Sequence, residues 1–219
     1  MSDTEAEKGI AAEAAAALVE DGMVIGLGTG STVAHLLPAL GQRRLDISCV
    51  ATSPATEAAA RAQGLRVGPF EGIDRLDLAI DGADKVDQRG WLIKGGGGAH
   101  TREKIVAAAA DRFVVIVSSD KLVARLSPPV PLEIMAFGLD SVLRSLSGVR
   151  LRQVPRSPDN GVLADYHGDV EDPERLAARL AATPGVVAHG LFPPSLVSLV
   201  VVGRAGQVES FEPEKDIRA

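Results

Sequence analysis

The chain has 219 residues, a formal net charge of −6, 46% hydrophobic and 3% aromatic residues, and a single cysteine. The hydrophobic fraction excludes a disordered chain, the acidic balance argues against a nucleic-acid binder, and one cysteine cannot close an internal disulfide. Met1-Ser2-Asp3-Thr4-Glu5 lacks the basic and apolar stretches of a signal peptide, and no apolar run reaches the ~20 residues that span a bilayer, so a cytoplasmic protein without a membrane partner is expected.

Thr4-Glu5-Ala6-Glu7 reads as the capping box of a first helix that Gly22 ends. A buried strand at 23–27 runs into a glycine turn at 28–32 and a helix to about residue 40. A strand at 47–51 follows, then a helix that Ser53-Pro54 starts and Gly64 ends. Strands at 65–67 and 76–80, a helix capped by Thr101 and running to about residue 110, and a strand at 113–117 complete the first half. These strands are unbroken apolar runs, the pattern of a parallel sheet covered on both faces. Beyond Ser127-Pro128-Pro129 the order becomes strand 130–134, helix 136–147, strands 149–154 and 162–166, helix 173–182 and strand 185–191. Asp159-Asn160-Gly161 reads as the hairpin turn between the middle strands. That β-α-β-β-α-β order is ferredoxin-like. Two tail strands, 196–202 and 207–211, can return to the first sheet. The expected fold is α/β: a Rossmann-like parallel-sheet domain from residues 1–128 and 196–219, with a second, smaller ferredoxin-like α+β domain from 129–195.

Three glycine-marked turns sit at or near strand ends, where open parallel sheets bind ligands. Gly28-Thr29-Gly30-Ser31-Thr32 offers backbone N–H groups, hydroxyls and a helix N-terminus, which suits a phosphate. An ordinary capped turn is the alternative. The turn has no lysine for a P-loop, and a dinucleotide fingerprint would need a glycine where Ser31 stands. Ile80-Asp81-Gly82-Ala83-Asp84 can turn two carboxylates into one volume, a solvated Asx turn being the alternative; Asp87 is assigned to the surface. Lys94-Gly95-Gly96-Gly97-Gly98 precedes His100 and Glu103, and four glycines in a row suggest backbone that lies against a ligand. His100 reads as a polar loop residue. Glu103 falls in the first turn of a helix, where a carboxylate is favoured in any case. The histidines and Cys49 show no metal-ligand spacing, and Cys49 reads as a buried inert thiol. Metal-free acid–base chemistry on a small phosphorylated compound is the reading that results.

Gly26-Leu27-Gly28-Thr29-Gly30-Ser31-Thr32, Asp81-Gly82-Ala83-Asp84 and Lys94-Gly95-Gly96-Gly97-Gly98-Ala99-His100-Thr101-Arg102-Glu103-Lys104 resemble, in order and separation, the signature segments of type A ribose-5-phosphate isomerases. The resemblance extends over nearly the whole chain. It implies interconversion of D-ribose 5-phosphate and D-ribulose 5-phosphate without a cofactor, by a homodimer or homotetramer. By the same resemblance Glu103 is the general base, Asp81 with Asp84 beside it handles hydroxyl protons, and Lys94 stabilises the enediolate. Thr29, Gly30, Ser31 and Thr32 would bind substrate, together with Gly82, Ala83, Gly95, Gly96 and Gly97. Lys8 and Lys121 match positions near the substrate phosphate. Lys85 stands where relatives usually carry an acid, and His100 where an apolar residue is common. A sugar-phosphate deaminase, a coenzyme A transferase and a non-catalytic sugar-phosphate sensor are the rival readings.

Overall fold

The computed structural model describes residues 3–213; Met1, Ser2 and the last six residues of the expected first domain lie outside that range. In chain order the helices are α1 (Asp3–Ala16), α2 (Ser31–Arg43), α3 (Pro54–Ala62), α4 (His100–Ala108), α5 (Leu139–Ser145) and α6 (Pro173–Ala181). The first strands are β1 (Val24–Leu27), β2 (Ser48–Ala51), β3 (Arg66–Val67), β4 (Leu76–Asp81), β5 (Lys85–Asp87), β6 (Leu92–Ile93), β7 (Ala110–Ser118) and β8 (Leu122–Val123). They are followed by β9 (Val130–Ile134), β10 (Val149–Leu151), β11 (Val162–Tyr166), β12 (Val186–His189), β13 (Leu191–Phe192), β14 (Leu199–Arg204) and β15 (Gln207–Phe211).

The main sheet has seven strands in the order β15-β14-β7-β4-β1-β2-β3, all parallel except the edge strand β15. Both faces are covered, which is why its strands are apolar throughout. Ile25, Leu27, Leu78, Ile80, Val114 and Ile116 share one core with α1 and α2. Their alternates Ala79, Val115 and Val117 pack with Val106 of α4 and Phe192 on the other face. The chain moves from β1 outward to β3, then returns to β4 and proceeds the opposite way. The reversal between β1 and β4 opens a crevice at their carboxyl ends.

The second sheet, β10-β11-β9-β12, is antiparallel and carries α5 and α6, the ferredoxin-like arrangement expected from the element order. A third small sheet, β13-β6-β5-β8, joins the two larger ones, and apart from residue 191 at the end of the strand expected over 185–191, none of its residues was assigned to a strand from sequence. Strands of two or three residues are too short to show a period.

Several local expectations give way to long-range partners. Thr4 lies inside α1, and Glu7 accepts hydrogen bonds from Ser119 N–H (2.9 Å), the Ser119 hydroxyl (2.8 Å) and Ala205 N–H (3.2 Å) instead of closing a capping box. The α1 helix ends at Ala16, well before Gly22, and Arg43 donates to the carbonyls of Ala16 and Val19, at and beyond that end. Thr101 is the second residue of α4, and its hydroxyl donates to Glu133. Asp87 is buried, accepting the N–H groups of Arg89 and Trp91 within its own turn. Asp159-Asn160-Gly161 closes a longer loop, since Leu151 pairs with Ala164, and only Asn160 of the three adopts positive φ, at 67°.

No helix among the described residues is long and apolar enough to cross a membrane. Cys49 on β2 is buried, and burial pushes its thiol up to about 12. We therefore expect thiol reagents at pH 8 to label Cys49 only at the rate of unfolding; rapid labelling of the folded protein would contradict this placement.

Candidate active site

Two glycines on β1 and its extension decide how closely the crevice can assemble. At Gly26 a Cβ would fall 2.3 Å from Val106 Cγ1, so its absence lets α4 pack directly on the sheet. At Gly28 a Cβ would fall 1.8 Å from Asp81 Cγ, so the Asp81 carboxylate occupies the space a side chain would fill. Glu103 lies one helical turn before Val106 and shares its face of α4. The seating of α4 on Gly26 therefore carries Glu103 to the crevice.

Lys94 meets both carboxylates there. Its Nζ lies 2.9 Å from Asp81 Oδ2 and 3.1 Å from Glu103 Oε2, and it donates to the Gly82 carbonyl (2.5 Å). All three side chains are at most 4% exposed as residues. Asp81 also accepts the N–H groups of Gly82 (2.7 Å) and Thr29 (3.1 Å) through Oδ1. Among the described residues no backbone N–H supports Glu103 in this way. Its Oε2 makes an ion pair with Lys94 that is not aligned as a hydrogen bond.

The triad holds one cation and two carboxylates. Burial raises both acids, and the attraction of Lys94 opposes that rise. Asp81 adds its repulsion to Glu103, which is pushed up to about 8. Burial lowers Lys94, but its two carboxylate neighbours outweigh this and hold it above the ordinary lysine range. Asp81, with two backbone N–H donors, is the better-stabilised anion; Glu103 is the member that exchanges a proton near neutrality.

The mouth of the crevice is lined by Thr29, Gly30, Ser31 and Thr32 from the first turn and by Gly82, Ala83 and Asp84 from the second. Lys94, Gly95, Gly96, Gly97, Glu103 and Lys121 complete it. Gly30 precedes α2 at φ 135°, a conformation that L side chains rarely adopt. Asp84 accepts the Gly96 N–H at 2.8 Å. Lys8 is not among the lining residues; its ammonium pairs with Glu5 at 2.6 Å. Lys85 turns away from the crevice to the chain between the two domains, donating to the carbonyls of Ser127 (2.6 Å) and Pro128 (3.1 Å).

His100 is fully buried as the first residue of α4, packed where a Cβ on Gly95 would fall 2.6 Å from its Nδ1. Burial, reinforced by nearby Lys104, pushes it down to about 3, so it is neutral packing and not a polar loop residue. Sequence reasoning missed the hydroxyl layer behind the first turn. Thr52 Oγ1 lies 2.8 Å from Thr29 Oγ1, and the Thr56 hydroxyl donates to the Gly28 carbonyl at 2.9 Å. Gly190-Leu191-Phe192 also resembles a family segment, but its role was not foreseen: the Phe192 ring has Lys104 at 4.8 Å and Lys94 at 5.5 Å from its centroid. The run Thr52-Ser53-Pro54-Ala55-Thr56 hinted at the hydroxyl layer; nothing local placed Phe192 beside the two lysines.

A buried base beside an ammonium, opening on a mouth of hydroxyls, N–H groups and Lys121, can move a carbon-bound proton while an anionic group is held at the mouth. Comparison with known proteins supplies the family. Residues 48–207 match the family profile of ribose 5-phosphate isomerase A (phosphoriboisomerase A). Ribose-5-phosphate isomerase A of Sphingopyxis alaskensis is 40% identical, with 95% of this chain and 97% of the relative covered. That of Methanosarcina acetivorans is 46% identical over 85% of this chain and 86% of its own. Among solved structures, a D-ribose-5-phosphate isomerase in complex with phospho-erythronic acid superposes with a TM-score of 0.90 at 34% identity, covering 95% of this chain and 99% of its own. The Neisseria gonorrhoeae ribose 5 phosphate isomerase A gives a TM-score of 0.90 at 32% identity, covering 95% of this chain and 96% of its own.

The raised acid carries a stability consequence. In the unfolded chain Glu103 ionises near 4.5, whereas the folded protein retains its proton until about 8. The unfolded state therefore sheds this proton first, and the group costs stability progressively between those values and most above pH 8. Glu103→Gln is expected to raise Tm by a few degrees at pH 9, with the gain vanishing toward pH 4; a Tm difference that does not vary with pH would refute the assignment.

Proposed function

Because this chain belongs to the ribose 5-phosphate isomerase A family and interconverts D-ribose 5-phosphate and D-ribulose 5-phosphate, we propose that Glu103 is the base that carries the proton between C1 and C2. The single observation that supports this role is the burial of Glu103 against a cation shared with a second carboxylate. A base is most effective when its pKa lies near the working pH, and about 8 meets that condition.

The open-chain aldose presents its C2 proton to Glu103. As the carboxylate takes that proton, the C2–H electron pair forms a C1–C2 double bond and the carbonyl pair moves onto O1. Lys94 neutralises the developing oxyanion, for which a well-placed donor supplies about 3–4 kcal/mol. Asp81 relays the proton from the C2 hydroxyl to O1, with Asp84 orienting the hydroxyls. C1 then recovers the proton from Glu103 as the C2 carbonyl forms. No electrons leave the substrate, so no redox cofactor is needed.

The phosphate is held at the opposite end by Ser31, Thr32 and Lys121. Ser31 and Thr32 begin α2, whose N-terminus favours an anion. Lys8, whose ammonium pairs with Glu5 at 2.6 Å on α1, is kept as a further cation for the phosphate. Thr29 already gives its N–H to Asp81 and shares its hydroxyl with Thr52, so its part is to shape the turn around the substrate. The rival transferase reading would use a buried glutamate as a nucleophile, and the deaminase reading would release ammonia; the family assignment favours neither. We place the enzyme in the cytoplasm and expect a homodimer or homotetramer.

Glu103→Gln should lower kcat by about 10²–10⁴-fold with KM little changed. Normal turnover would remove Glu103 as the base. In the wild-type enzyme kcat/KM should rise with pH, reach half its maximum near pH 8 and level off above it, as the free carboxylate becomes available. Asp81→Asn removes a repulsion and leaves Lys94 to Glu103 alone, so this limb should move to lower pH. A limb that stays in place in Asp81→Asn would show that the two carboxylates do not share the cation.

A further inference from the structure

Four consecutive glycines, residues 95–98, run between Lys94 and the helix that carries Glu103. They have no side chains with which to hold a conformation and lose more freedom on ordering than any other residues. The Gly95–Gly96 peptide is nevertheless held at both ends. Its N–H donates to Asp84 Oδ2 at 2.8 Å. Its carbonyl, that of Gly95, accepts from Arg152 Nη1 at 2.8 Å, and the next carbonyl, Gly96, lies 3.2 Å from the same nitrogen. Arg152 comes from the second domain, one residue beyond β10.

The guanidinium is itself aimed. Nε and Nη2 form a two-pronged pair with Asp165 of β11, at 2.9 and 2.6 Å. The side chains of Arg152 and Asp165 are 14% and 20% exposed, so this is a largely buried pair. The Arg152 N–H meets the Leu163 carbonyl at 3.0 Å, which holds the backbone in register with β11. With one edge of the planar group fixed on Asp165, its remaining nitrogen can point only along that plane, toward the glycine loop. Lysine, a single point donor, could not serve both partners.

We infer that Arg152, aimed by Asp165, is a positioning residue of the isomerase: it fixes the Gly95–Gly96 peptide and through it the spacing of Lys94, Asp84 and Glu103. The inference rests on the proposed reading of the crevice. Asp84 sits on the other end of the same peptide. Without Arg152 the Gly95 carbonyl keeps only the Gly98 N–H (3.0 Å), a bond within the loop itself, so losing the guanidinium loosens a group that faces substrate.

The test uses Arg152→Met, which keeps the aliphatic stem, with Asp165→Asn, the double variant, Arg152→Ala and Glu103→Gln measured beside them. Arg152→Met should lower kcat by about tenfold to a hundredfold, the scale of a small misplacement of reacting groups. Asp165→Asn should cost less. The double variant should be no slower than Arg152→Met, because Asp165 acts only through the guanidinium. Added guanidinium ion should restore part of the kcat of Arg152→Ala, which a loss of folded protein would not allow. If Arg152→Met does not fold, Arg152→Lys and Asp165→Asn are held to the same criteria. A kcat and KM within about twofold of wild type in a folded Arg152 variant, or additive losses in the double variant, would overturn the inference. Full activity of Glu103→Gln would overturn the reading of the crevice instead; loss there with none at Arg152 would overturn this inference alone.

Discussion

The architecture is organised around one ammonium ion. Lys94 is removed from water and placed between two carboxylates, only one of which has adequate support of its own. Removing such charges from solvent costs several kcal/mol per ion, and the arrangement persists only while the geometry compensates. That geometry is exacting: Asp81 needs the missing side chain of Gly28 and two backbone N–H groups, and Glu103 needs α4 seated on Gly26. The result is a carboxylic acid that keeps its proton until about pH 8. Stability is given up at the position where we propose proton transfer, a common trade at functional sites.

The parallel sheet alone would leave that site incomplete. Its switch point supplies Asp81 and the turn at 28–32, but the glycine loop and α4 lie between the sheet and the second domain. The second domain contributes at several points. The Lys94 N–H donates to the Gly190 carbonyl at 2.9 Å. Lys104 donates to the carbonyls of His189 (2.7 Å) and Leu191 (2.9 Å). Glu133 on β9 accepts from Thr101 at the start of α4 and from Ser157, and Arg102 forms a two-pronged pair with Asp159. The α4 helix is thus fastened near its beginning and along one side by residues remote in the chain. The small α+β unit acts as a frame for the segment that carries Glu103.

Where the linear order was misleading, the cause was usually a distant partner. Thr4 and Thr101 both have the chemistry of an N-cap, yet each lies inside a helix. Glu7 is drawn to Ser119 and Ala205, and Thr101 to Glu133, and these contacts have no trace near either residue. His100 and Asp87 are polar and lie next to turns, which suggested exposure; both are buried, the first as neutral packing behind Gly95 and the second by satisfying its own turn. The sheet β13-β6-β5-β8 escaped because its strands are shorter than one repeat of any pattern.

The sequence by itself determined the layered α/β plan, the ferredoxin-like insertion and the three glycine-marked turns. Buried parallel strands must be apolar on both faces, and tight approaches of backbone to ligand or carboxylate must be glycine, so both leave local marks. Tertiary structure alone decided that Lys94 stands between Asp81 and Glu103, that Lys8 is bound to Glu5, and that Arg152 reaches the glycine loop. Those outcomes depend on distances between segments dozens of residues apart and on which charges lose their water together. Neither quantity is a property of a residue or its neighbours in sequence.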